Sequence, residues 1–238
     1  MNPSTLGISI ATRNRWRDVE KTLAMIGERP ELAGCAIVLA DDHSDEPAPA
    51  GLAARFPRVT FLSSERSLGT SAQRTRIARV LDTEYVLQLD DDSYPVAGSV
   101  ADAVSFLAAH EDAAALALNI VEGRETSPAI DPGEPPFKVE SFIGCGVLLR
   151  RKLFLDLGGF ISALGFYCEE THFSARAARS GRAVYKFPGL VVRHEKSSSA
   201  RNTARIAYFR ARNRVLLVLW HYPFRTIPLR LVTSLPGS

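Results

Sequence analysis

Tyr85-Val86-Leu87-Gln88-Leu89-Asp90-Asp91-Asp92 decides how the rest of the chain reads. A short, largely apolar run bounded by polar residues is the signature of a buried strand, and this one stops abruptly at three adjacent carboxylates. Neighbouring carboxylates raise one another's pKa unless a cation or hydrogen-bond donors compensate. Residues i and i+2 of an extended segment project to the same side, which lets Asp90 and Asp92 converge on one ligand. Hard oxygen donors of this kind suit a divalent metal, Mg²⁺ or Mn²⁺, held together with substrate phosphates. A plainer reading has Asp92 and Ser93 capping a helix that starts near Pro95, but a cap accounts for one aspartate and not three.

Working outward, similar apolar runs at 6–11, 35–40 and 59–62 read as strands, and 16–26 and 68–81 have helical spacing. A helix over 96–109 and a strand over 113–119 follow. This rhythm predicts a doubly wound, mostly parallel α/β sheet flanked by helices, in which ligands bind beyond the carboxyl ends of the strands. Those ends carry Thr12-Arg13-Asn14, Asp41-Asp42 and the triple aspartate. The second half is less regular. Residues 126–136 read as an exposed loop and 142–149 as a strand in which Gly144 and Gly146 let something approach the backbone. Short strands are expected at 183–187 and 190–193, and helices at 152–157 and 169–179, the latter stopped by Gly181.

Composition permits an enzyme without demanding one. Hydrophobic residues make up 46% of the 238 and charged residues 23%, which is globular. Cys35, Cys145 and Cys168 form no CxxC pair, so a zinc site or disulfide framework is not expected, and a reducing cytoplasm is. No basic stretch followed by an apolar run opens the chain, so a signal peptide is not expected. Net charge is +3 but uneven: all 26 acids lie in residues 1–195, whereas 196–238 hold Lys196 and seven arginines. A basic, apolar and aromatic segment after an acidic body suggests an interfacial stretch drawn to an anionic membrane surface; Pro223, Arg225, Pro228 and Arg230 break it up too often for a span. Nucleic acid is not expected as a partner, because the body is acidic.

Four stretches in order, LGISIATRNR (6–15), VLADDHSDE (38–46), LGTSAQRTRIARVLDTEYVLQLDDDSYP (68–95) and the region from GGFISALGFYCEETHF (158–173) to RHEKSSS (193–199), resemble the family 2 glycosyltransferases, which have the GT-A fold. The segment YFRARNRVLLVLW (208–220) resembles the tail of many bacterial members. The resemblance implies a catalytic domain over 1–198, with a nucleotide-sugar-binding half (1–95) and an acceptor half (96–198), followed by a basic amphipathic C-terminal segment (199–238). It implies an inverting transfer from a UDP- or dTDP-sugar to a hydroxyl of a glycan, glycolipid or small molecule. Thr12, Arg13, Asp41, Arg74, Asp90 and Asp91 then contact the nucleotide sugar, and Asp92, Asp90 and His194 hold the metal. Glu170 is the base that deprotonates the acceptor, and Glu169 orients acceptor hydroxyls. Here both acids of the pair are Glu, and His172 stands where many members carry a further acid. Competing readings are a nucleotidyltransferase, which would want a Gly-rich basic loop after the first strand, and an inactive nucleotide-sugar-binding module; ATRNRWRD (11–18) contains no glycine.

Overall fold

The computed structural model describes residues 5–196 and 203–234. The four N-terminal apolar runs form β1 (Leu6–Thr12), β2 (Ala36–Asp41), β3 (Val59–Leu62) and β4 (Tyr85–Asp90). They lie in the order β3-β2-β1-β4, all parallel. Connecting them are α1 (Trp16–Gly27), the single turn α2 (Leu52–Arg55) and α3 (Thr70–Val80). Helix α1 buries Val19, Leu23 and Ile26, the stripe its spacing predicts. Burying each such side chain contributes roughly 1.5–3 kcal/mol.

The second half departs from the expected order. It comprises β5 (Ser93–Gly98), α4 (Val100–Ala109), β6 (Ala113–Glu122), β7 (Phe137–Val139), β8 (Gly146–Arg150), α5 (Arg151–Asp156), α6 (Glu169–Arg179) and β9 (Ala183–His194). The sheet continues β4-β8-β6-β9-β5, with β7 on β9. Strand β8 runs antiparallel to both β4 and β6, and β9 is parallel to β6 but antiparallel to β5 and β7. The sheet is therefore mixed, and the mostly parallel arrangement holds only for its N-terminal half. The reason is the connection: β8 is reached from β6 through a loop and the short β7, not through a crossover helix, so nothing forces it parallel.

Three boundaries also move. Residues 96–98 belong to edge strand β5, which tolerates Pro95 at a register shift; Gly98 at φ +83° ends it, and Ser99 caps α4 by accepting from the Asp102 amide at 3.0 Å. The strand expected at 142–149 begins only at Gly146, because 143–145 turn across the site. The two short strands near 183–193 are one, β9, which absorbs Pro188-Gly189 at a register shift against β6. Two apolar layers sandwich the sheet. One holds side chains of α1 and α4, the other those of α3, α5 and α6.

Beyond β9 lie α7 (Thr203–His221) and α8 (Ile227–Ser234). Asn213 and Val218 of α7 are buried, so the helix docks by one stripe and is not free of the body. Its other face, the turn after it and α8 expose Tyr208, Leu219, Trp220, Phe224, Leu229 and Val232. Among the described residues no helix is long and apolar enough to cross a membrane. The expected domain boundary at 198/199 lies outside the described residues.

Candidate functional site

Parallel register brings the polar ends of β1, β2 and β4 into one row: Thr12 pairs with Asp41 and Ala11 with Asp90. Asp90 ends β4, and Asp91 and Asp92 form the turn between β4 and β5. Asp90 and Asp92 face His194, which the last residue of β9 supplies; its Nε2 lies 3.3 Å from Asp92 Oδ1 and 4.0 Å from Asp90 Oδ2. Asp91 is buried, accepting from the Thr12 hydroxyl at 2.7 Å and pairing at 2.8 Å with Arg15, whose guanidinium also holds Asp92. Burial pushes Asp91 up to about 8, against the pull of Arg15 and the Thr12 hydroxyl. Thr12 and Asp91, expected on the nucleotide sugar, thus satisfy each other beneath the site. Arg13 is half-buried just past β1, and Asp41 accepts from the Ser44 amide and hydroxyl at the end of β2.

Asp92 is almost fully buried, yet the His194 hydrogen bond and the Arg15 guanidinium, 2.5 Å from its Oδ2, hold it well below the carboxylate range despite the opposing effect of burial. His194 answers in kind: burial would lower it, but Asp92, Asp90 and Glu122 raise it. Cys145 joins Asp90 and His194 in a cluster whose ligand atoms all lie within 4.8 Å of one another. Carboxylate oxygens of Asp90 and Asp92 with an imidazole nitrogen make a donor set that fits Mg²⁺ or Mn²⁺.

Arg74 ties this half of the site to the other. Its guanidinium is buried and reaches Asp90 at 2.5 Å, Glu169 at 3.0 Å and Glu170 at 3.6 Å. It therefore bridges two acid groups. Glu169 and Glu170 open α6, where the positive end of the helix dipole favours carboxylates. They differ in access: the Glu169 side chain is 2% exposed and that of Glu170 18%. Glu169 is turned inward onto Arg74. Glu170 accepts from the Gly144 amide at 3.1 Å. Burial raises both acids, with Glu170 adding to the rise of Glu169, and Arg74 opposes it in each. A Cβ on Gly144 would meet Arg74 Nη1 and Glu170 Oε1, each at 2.5 Å, which is the close approach its sequence position predicted. His172 does not face this cleft; its Nδ1 shares a 2.7 Å hydrogen bond with Nε2 of His221 on α7.

The family model described as Glycosyl transferase family 2 matches residues 8–165, more than half of the chain. The chain belongs to that family. None of the curated proteins matches it in sequence. Among solved structures it is similar to GalNAc-T7 with UDP, GalNAc and Mn²⁺ (TM-score 0.68, 16% identity, covering 93% of this chain and 52% of that one). It is also similar to TarS of S. aureus (0.68, 15%, 97% and 43%). A third is the mannosyltransferase PcManGT of Pyrobaculum calidifontis with GDP-Man and Mn²⁺ (0.67, 18%, 96% and 68%). At these identities the likeness establishes the GT-A fold. The chain spans about half the length of the first two.

Within the family 2 framework, two residues were missed from sequence alone. Arg15 holds Asp91 and Asp92 together with Asp18, but its loop position after β1 gave no periodic or spacing signal. Cys145 lay inside a run read as strand, where a buried thiol looks like an ordinary small apolar residue. Asp42, next to the expected Asp41, is structural. It accepts from the amides of Leu68 and Gly69, from Gln73 and from Ser67, fixing the loop that leads into α3.

Proposed function

We propose that the chain transfers a glycosyl group from a nucleoside diphosphate sugar to an acceptor hydroxyl, with inversion at the anomeric carbon. The observation that carries this reading is the placement of Asp90 and Glu170 on opposite sides of one guanidinium, Arg74. Acids suited to a metal–diphosphate complex and an acid suited to deprotonating a nucleophile thereby face one cleft. Asp90, Asp92 and His194 would hold the metal, which supplies positive charge where the leaving diphosphate becomes more anionic. Arg13 and Asp41 remain the candidates for nucleotide contact, at the ends of the strands that line the donor side.

Glu170 is the better base of the pair. It is the more accessible, and the Gly144 amide fixes its orientation. Glu169 keeps Arg74 in place instead of orienting the acceptor. A single base with no nucleophile positioned behind it favours direct displacement and hence inversion. Glu170→Gln tests this: it should bind nucleotide and Mn²⁺ as the parent does while losing transfer, and full transfer would refute the assignment. For the donor, a thermal shift that needs both Mn²⁺ and UDP or dTDP, absent in Asp92→Ala, is expected; no shift with any nucleotide would sink the reading. A panel of nucleotide sugars scored for hydrolysis identifies the donor, and NMR of the product reports inversion or retention.

For the C-terminal helices, we read the exposed Phe224, Leu229 and Val232 beside Arg225 and Arg230 as a surface for an anionic membrane, with the protein peripheral on the cytoplasmic face. Sedimentation with phosphatidylglycerol vesicles but not phosphatidylcholine vesicles, lost in Phe224→Ser/Leu229→Ser, is the expected result. Equal recovery with both lipids would contradict it.

A further inference from the structure

The loop from Ser162 to Cys168 delivers the acid pair, and its backbone is unusual. Tyr167 and Cys168 sit consecutively at φ +64° and +69°, in the left-handed region, and Glu169 follows at once. Gly165 lies at φ +67°, and a Cβ there would meet the Phe209 ring of α7 at 3.0 Å. Non-glycine residues keep such angles only where their surroundings hold them.

What holds them is α7. Asn213, fully buried, donates its side-chain amide to three carbonyls of this loop: Leu164 at 2.9 Å, Phe166 at 2.8 Å and Tyr167 at 2.8 Å. Arg212 donates to Asn213 Oδ1 at 3.0 Å, which turns the NH₂ group toward the carbonyls, and also to Ala163 at 2.6 Å. The far end of the helix is fastened to α6 through the His172–His221 hydrogen bond. Neither Arg212 nor Asn213 has a hydrogen bond to Asp90, Asp92 or His194.

We propose that Asn213, oriented by Arg212, is a positioning residue that sets the Glu169–Glu170 carboxylates from outside the family-matched region, by clamping the strained carbonyls just before them. The inference rests on Glu170 acting as base. It makes α7 part of the acceptor side of the site, whatever the helix does at its exposed face. Because a misplacement of about 1 Å in a reacting group costs about 100-fold in rate, losing the clamp should be felt in transfer far more than in donor binding.

Asn213→Asp is the test, since it keeps the shape and replaces the donating NH₂ with an oxygen facing three carbonyls. Three readouts are compared with the parent: backbone hydrogen exchange, binding of Mn²⁺ with UDP, GDP or dTDP (whichever shifts the parent's melt), and transfer. The expected result is at least about tenfold faster exchange at amides 166–172, from loss of local protection, with 85–90 unchanged. Transfer should fall about 100-fold at unchanged nucleotide affinity. Unchanged exchange at 166–172, or a transfer loss matched by an equal loss of nucleotide binding, would overturn the proposal. Should Asn213→Asp fail to fold, Arg212→Lys, which cannot hold both Asn213 Oδ1 and Ala163, must show the same pattern more weakly; parental behaviour there refutes it. The exchange readout needs no turnover, so it judges the clamp even if Glu170→Gln shows that the base lies elsewhere.

Discussion

Replacing Arg74 with methionine removes the guanidinium that Asp90, Glu169 and Glu170 share while keeping most of the buried volume. With an effective dielectric of about 20, a charge pair near 4 Å is worth about 4 kcal/mol, but burying the guanidinium itself costs much of that return. Breaking a buried pair and leaving its partner charged typically costs about 3–5 kcal/mol. The acids have a way to limit the damage, which is to take up protons. Glu169 and Glu170 are already raised by burial with Arg74 present, and losing Arg74 raises them further. The sign follows: an acid with a folded pKa above its unfolded value binds more protons when folded, so its contribution to stability falls as pH rises between the two values. The variant should therefore lose about 3–5 kcal/mol at pH 8.5, where the folded acids are pressed to ionise, and less than half of that at about pH 5.5. In a domain of this size that is a drop in Tm of about 6–20 °C at the higher pH. Paired urea melts of parent and variant at both pH values measure it. A loss below about 1 kcal/mol, or one equal at the two pH values, would show that the acids do not depend on Arg74.

Gly144→Ala should leave the fold largely intact at a cost of about 1–3 kcal/mol, yet depress transfer, because its Cβ meets Arg74 and Glu170, which hold each other in place; parental kinetics would argue against a fixed Glu170. Asp42→Ala orphans the Leu68 and Gly69 amides and Gln73, so a loss of about 2–3 kcal/mol in urea unfolding is expected, with faster hydrogen exchange at 67–70. His194→Ala should weaken the Mn²⁺-dependent thermal shift while leaving Asp92 less acidic, measurable as an upward-shifted acid limb in the stability–pH curve; an unmoved limb would remove His194 from the Asp92 pair.

The N-terminal half of the sheet was legible because it obeys local rules. Each parallel strand is an apolar run closed by polar residues, and the triple aspartate stands at the end of one of them. Strand direction in the second half was not legible, since periodicity carries no sign: β8 reads the same parallel or antiparallel. The helix expected from residue 96 failed because Val96 and Ala97 suit either period, although Gly98-Ser99 followed by Asp102 carries the stop and cap that would have corrected it. Roles set by long-range contact stayed hidden. Arg74 and Glu169 look like helix-surface charges until the sheet brings residues 95 positions apart to 3.0 Å. The tail's composition suggested a lipid-facing segment and gave no sign that Asn213 points inward.

The pairing of β4 with β8 has a consequence for how such an enzyme can change. Leu89 lies opposite Gly146, so the turn bearing the aspartates and the turn receiving Glu170 spring from adjacent rungs of one ladder. A change of length in either turn would move the acids it holds relative to those of the other. Length variation is thus channelled to the exposed loop between β6 and β7. That is the place where grafted segments should be tolerated.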